Sequence, residues 1–90
     1  MKDKKTIYVR AINSYGTGMQ KVVAIEELSE LQKEICKDLR GHDNRDAITE
    51  EIADVEIMLE QLKLIYGCID EVSVIKHQKL NRLSGRLDME

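Results

Sequence analysis

The sequence predicts an all-α fold, a helical hairpin plus a third helix forming a four-helix-type bundle completed by oligomerisation. Three observations carry that expectation. The 90 residues contain no proline, their only aromatics are three tyrosines, and glycine or polar runs separate long stretches with helical apolar spacing. Leu, Glu, Lys, Gln and Ala favour helices, whereas the aromatic residues that suit strands are nearly absent. With neither Phe nor Trp, the core has to be aliphatic. A single domain of this size, residues 1–90, buries only a modest share of its surface, which makes a partner chain plausible.

Residues 1–16 read as an N-terminal arm or a short helix. The first main helix spans about 18–40. Gly16 and Gly18 form a break before it, and Thr17 with Gln20 fits a capping box, in which hydroxyl and amide side chains satisfy the first free backbone N–H groups. Gly41 stands where a helix stops in the left-handed conformation. After the polar loop Arg40 to Arg45, either Asp46 or Asn44 caps a second helix over about 46–66, with Gly67 as its stop. A third helix, about 70–86, carries Val72, Ile75, Leu80 and Leu83, with Leu87 just beyond and a less regular stripe.

Composition narrows the function classes. A net charge of −3 gives no general attraction to a nucleic-acid polymer or an anionic membrane. Cys36 and Cys68 stand far apart with no histidine at zinc spacing, so reduced thiols are the expectation. The basic start (Met1, Lys2, Asp3, Lys4, Lys5) has no apolar segment behind it, and no run approaches the ~20 apolar residues needed to span a bilayer. The expected setting is the cytoplasm, with no membrane partner.

The acids give the sharper signal. At ~100° per residue, the second helix shows one apolar stripe of Ile48, Ile52, Val55, Met58, Leu59, Leu62, Ile65 and Tyr66. Glu51 falls inside it, with Ile48 three residues before, Val55 four after and Met58 seven after. Asp54 lies at its edge. The first helix has the stripe Ala24, Leu28, Leu31, Ile35 and Leu39, with Glu27 on the border and Glu30 one turn further along. Hairpin helices packed through these stripes bring an ExxE pair toward an ExxD pair. Buried carboxylates without partners are costly and raise each other's pKa, so a positive charge is expected between them. Oxygen ligands alone suit a hard cation, Mg²⁺ or its substitute Mn²⁺, and Mg²⁺ in turn suits phosphate substrates.

Blander readings stand beside this one. Glu26, Glu27, Glu30 and Glu34 form a run of the kind usually found on a solvated face. Glu51 resists that explanation, although an ion pair to Lys or Arg of the third helix would also account for it. A di-iron bundle needs Glu-x-x-His motifs, and neither His42 nor His77 has a Glu three residues before it.

The order Glu26-Glu27-Leu28-Ser29-Glu30 then Glu51-Ile52-Ala53-Asp54 resembles the EExxE…ExxD signature of the MazG-like, all-α NTP pyrophosphohydrolase superfamily. The phrases AIEELSELQKE and EEIADVEIMLEQL look like its short, single-domain phage and bacterial members, and the likeness spans about Gln20 to Leu64, with KLNRLSGRL also similar. The resemblance implies cleavage of the α–β phosphoanhydride of a nucleoside triphosphate to a monophosphate and pyrophosphate, with Glu27, Glu30, Glu51 and Asp54 binding the metal. It also implies a homodimer or homotetramer.

In that reading a carboxylate accepts the proton of the attacking water, and Glu27 and Glu30 are the candidates. Glu26 lies either behind the ligands or on ordinary surface. Lys76, Lys79, Arg82 and Arg86 cluster on the third helix, and Lys79 and Arg82 are the expected phosphate clamps. The ordinary alternative is that these cations form surface pairs. Glu56 and Glu60 face away from Glu51 and read as solvated, while Ile57 suggests an intersubunit contact. Asn13, Tyr15 and Gln20 precede the first acidic motif, within reach of a base or ribose in that reading, but capping or packing is the role expected of them first. The alternative function is a non-catalytic helical dimerisation or regulatory module.

Overall fold

The computed structural model describes residues 3–90, so Met1 and Lys2 of the basic start lie outside the description. Four helices follow one another: α1 (Lys4–Tyr15), α2 (Thr17–Leu39), α3 (Arg45–Ile65) and α4 (Ile69–Asp88), with no strand among the described residues. None of these helices is long and apolar enough to cross a membrane. The N-terminal segment, left open between arm and helix, is helical as α1.

The two glycine stops perform as the sequence predicts. Gly41 takes φ +94° and its N–H donates to the Asp38 carbonyl at 2.9 Å, while the His42 N–H reaches the Lys37 carbonyl at 3.1 Å. Gly67, at φ +61°, repeats the arrangement, with Gly67 N–H to Leu64 and Cys68 N–H to Lys63. Both are Schellman motifs, which close the last free carbonyls of α2 and α3.

The start of α2 departs from expectation. Gly18 lies inside the helix, Gly16 occupies the N-cap, and no side chain caps the end. Gln20 does not reach back to Thr17. Its Nε2 donates instead to Gln61 Oε1 at 2.7 Å, and both side chains are buried. A 2.7 Å bond inside the fold outweighs a solvent-exposed cap, because burying either amide alone would leave it unsatisfied. Asn44 holds the N-cap position of α3 without capping it: its Oδ1 is buried and accepts no hydrogen bond, while its Nδ2 donates to the Glu34 carbonyl at 2.9 Å and to Glu34 Oε1 at 3.0 Å.

Helices α2 and α3 pack as a hairpin along a seam. On α2 it runs Gln20, Ala24, Glu27, Leu31 and Glu34, and on α3 it runs Ile48, Glu51, Val55, Met58, then Gln61 beside Leu62, and Ile65, in steps of three and four. The buried hydrophobics are Ala24, Val55 and Met58. Large side chains such as Val55 and Met58 contribute about 1.5–3 kcal/mol each when buried. This seam corrects the predicted stripe of α2. Leu28 and Ile35 are 45% and 43% exposed, whereas Glu34, read from sequence as part of a solvated face, is only 8% exposed. The helix is turned by about one position so that Glu34 meets Asn44, and the Lys37 ammonium pairs with its other oxygen at 3.1 Å.

Helix α1 packs against both α2 and α3, the place the sequence reading reserves for the third main helix. Helix α4 touches α3 alone and buries none of its residues. The bundle of hairpin and third helix is therefore not closed within one chain.

Candidate metal centre

Because the seam alternates by three and four, Glu27 on α2 and Glu51 on α3 enter it as acids in otherwise core positions, and both are half-buried. Asp54, three residues beyond Glu51, stands one position off the seam and is exposed. One carboxylate oxygen from each of Glu27, Glu51 and Asp54 lies within 4.8 Å of the others. Glu51 Oε2 is buried and receives no hydrogen bond.

The electrostatics follow from that crowding. Burial pushes the Glu27 carboxyl above the usual carboxylate range, and Asp54, by its charge and by a hydrogen bond, pushes it further, with Glu51 and Glu30 adding to the effect. Glu51 is raised first by burial, then by the charges of Asp54, Glu30, Glu34 and Glu50. Both groups favour a bound positive charge, whether a proton or a cation. The donor set is all oxygen, with no cysteine or histidine among the three residues, and it fits a hard divalent ion.

The ion-pair alternative for Glu51 finds no support in the geometry. Among the described residues the ion pairs are Lys33–Glu30 at 3.8 Å, Lys37–Glu34 at 3.1 Å and Lys63–Glu60 at 2.9 Å, each within one helix. None reaches Glu51, and none comes from α4.

Of the four predicted ligands, three converge. Glu30 is exposed and outside the triad, paired with Lys33, although it stands close enough to raise both Glu27 and Glu51. Lys79 and Arg82 lie on α4 and are not brought to the acids within one chain. Glu26 and Glu56 are exposed, and Glu60 is exposed with its Lys63 partner. Ile57 is exposed, as are Asn13 and Tyr15, so the packing role expected of the last two is not seen.

The Glu34–Asn44 clasp was not recognised from sequence, although a signal existed. Glu34 follows Glu27 by seven residues and therefore shares its face. Its carboxyl is held below the usual range, first by the Asn44 hydrogen bond and then by Lys37. Compared with known proteins, the chain matches no family model, no curated protein and no solved structure.

Proposed function

We propose that this chain is a Mg²⁺-dependent nucleoside triphosphate pyrophosphohydrolase of the MazG-like type, cleaving the α–β phosphoanhydride to release a monophosphate and pyrophosphate in the cytoplasm. The observation that carries the reading is the convergence of Glu27, Glu51 and Asp54 within 4.8 Å, with a buried Glu51 oxygen that no donor satisfies. A natural sequence keeps such an arrangement in a packed seam at a cost to stability, and perturbed acids of this kind mark functional sites.

Glu27, Glu51 and Asp54 would hold the ion, with Glu30 beside them. When bound, Mg²⁺, or Mn²⁺ in its place, supplies neutralisation and orientation of the triphosphate oxygens. Glu27 and Glu30 are the candidates for taking a proton from the attacking water. The working unit is a homodimer or homotetramer, and Lys79 and Arg82 clamp phosphate only if a partner chain or a movement of α4 brings them to the acids.

A second reading, a non-catalytic dimerisation or regulatory module, is favoured by one observation, the fully unburied α4. A panel of nucleoside triphosphates incubated with Mg²⁺ or Mn²⁺ and read by pyrophosphate release separates the two. Release that disappears in Glu51→Gln supports the enzyme, and an inert panel leaves the module.

A further inference from the structure

Two side-chain clasps flank the acid triad, one toward each end of the α2–α3 seam. Toward the start of α2, Gln20 Nε2 donates to Gln61 Oε1 at 2.7 Å, and both residues are buried. Toward the turn, Asn44 Nδ2 donates to the carbonyl of buried Glu34 at 2.9 Å and to its Oε1 at 3.0 Å. The spacing is regular. Glu27 stands seven residues after Gln20 and seven before Glu34, Glu51 stands seven after Asn44, and Asp54 stands seven before Gln61. Seven residues are close to two turns, so each clasp shares a helix face with the acid it flanks and lies about 10 Å from it along the axis.

The other seam positions between the clasps, Ala24, Leu31, Ile48, Val55 and Met58, are apolar. Apolar packing is non-directional and is compatible with more than one register of the two helices. A hydrogen bond weakens steeply once its length or angle departs from the optimum. Two clasps on either side of the acids therefore fix both the rise and the rotation of α3 against α2, as single buried polar residues do in packed helices elsewhere. Stability alone does not account for the second clasp, because Asn44 Oδ1 is buried there and accepts no hydrogen bond.

The triad depends on that register. Its three oxygens lie within 4.8 Å of one another, one from α2 and two from α3. The carboxylates repel when ionised, so the acids themselves work against their convergence. A slip of one residue moves a side chain about 1.5 Å along the axis. Mg²⁺ demands ligand oxygens at about 2.0–2.1 Å in near-octahedral geometry, whereas Ca²⁺ accepts about 2.3–2.6 Å in a flexible shell. A loosened register costs the smaller ion more.

We propose that Gln20, Gln61, Glu34 and Asn44 are positioning residues of the metal centre, holding Glu27 against Glu51 and Asp54 in the register that selects Mg²⁺ over Ca²⁺. The inference rests on the metal reading of the triad and is independent of the reaction. Calorimetric titration of Mg²⁺ and of Ca²⁺ into the full chain tests it, with circular dichroism and urea denaturation on the same samples. In Gln20→Leu/Gln61→Leu, which keeps its helical signal and most of its stability, the Kd for Mg²⁺ should rise about tenfold and that for Ca²⁺ by less. Asn44→Ala should shift the preference the same way from the other end of the seam. Met58→Ala removes buried seam contact without touching either clasp and should leave the ratio of the two Kd values as in wild type. An unchanged ratio in either clasp variant overturns the proposal, as does a shift of equal size in Met58→Ala, since the change would then follow stability alone. Should the leucine pair lose its helical signal, the same ratio is read in Gln20→Met/Gln61→Met, closer in shape to the native amides. Wild type that binds neither ion overturns the metal centre and the clasps together, whereas wild type that binds Mg²⁺ beside variants of unaltered ratio removes the clasps and leaves the centre standing.

Discussion

Glu27 and Glu51 face one another across the α2–α3 seam, one from each helix, at positions where the alternating spacing asks for apolar side chains. Neither has a cation within ion-pair distance among the described residues. Both carboxyls are pushed upward chiefly by burial. The pair therefore opposes folding when ionised and favours folding when it is protonated or bound to a cation.

Glu51→Gln is expected to raise the melting temperature of metal-free protein near neutral pH while abolishing pyrophosphate release. A carboxyl whose folded pKa is raised lowers stability as pH climbs through that value, and glutamine removes the charge responsible. Melting curves across the acid-to-neutral range should show the wild type gaining stability as pH falls through the raised value toward the ordinary carboxylate range. That gain should shrink in the variant.

Magnesium should stabilise the wild type saturably, by about 2.7 kcal/mol at a hundredfold excess over Kd, and chelation should reverse the shift. Glu27→Gln and Asp54→Asn are expected to weaken the response more than Glu30→Gln, because Glu30 stands outside the converging triad. Thermal melts with and without Mg²⁺ measure the order. Equal losses from all four acids would place Glu30 among the ligands.

Gln20→Ala leaves the Gln61 Oε1 acceptor buried without its donor. The expected cost is about 1–3 kcal/mol, with the double substitution Gln20→Leu/Gln61→Leu recovering most of it. Urea denaturation of the single and double variants reads the difference.

Asn44→Ala should move the midpoint of acid unfolding to higher pH. Glu34 is held below its ordinary range by Asn44 first and Lys37 second, so it contributes stability above the unfolded value, ~4.3, that is lost as pH falls through the lowered folded value. Without the Asn44 amide the folded value lies higher, so the contribution is smaller and is exhausted at higher pH. Acid titration followed by circular dichroism tests the direction.

Much of the fold was legible because its signals are local. The stops at Gly41 and Gly67 follow from the glycine's access to positive φ, and the helix spans agree with the predicted ones to within about two residues at each end. Glu51 stood out because three apolar neighbours at helical spacing surround it. The burial of Glu34 is not legible in the sequence, because its partner, Asn44, lies on the far side of a turn, and no spacing rule announces a hydrogen bond between a helix and the loop that follows it. The capping box failed for the same reason. Thr17 and Gln20 have the right spacing, but Gln61, 41 residues later, offers the amide a buried partner.

The sequence by itself determined the helices, their ends and the identities of the acids, because backbone capping and three- and four-residue spacing act over a single turn. Only the tertiary structure decided which side of α2 enters the seam, that Glu27, Glu51 and Asp54 converge while Glu30 stays outside, and that α4 is left without a partner in its own chain. Rotation by one position hardly changes local helix energy. It changes which long-range polar pairs are satisfied, and Gln20 with Gln61 and Glu34 with Asn44 settle the choice.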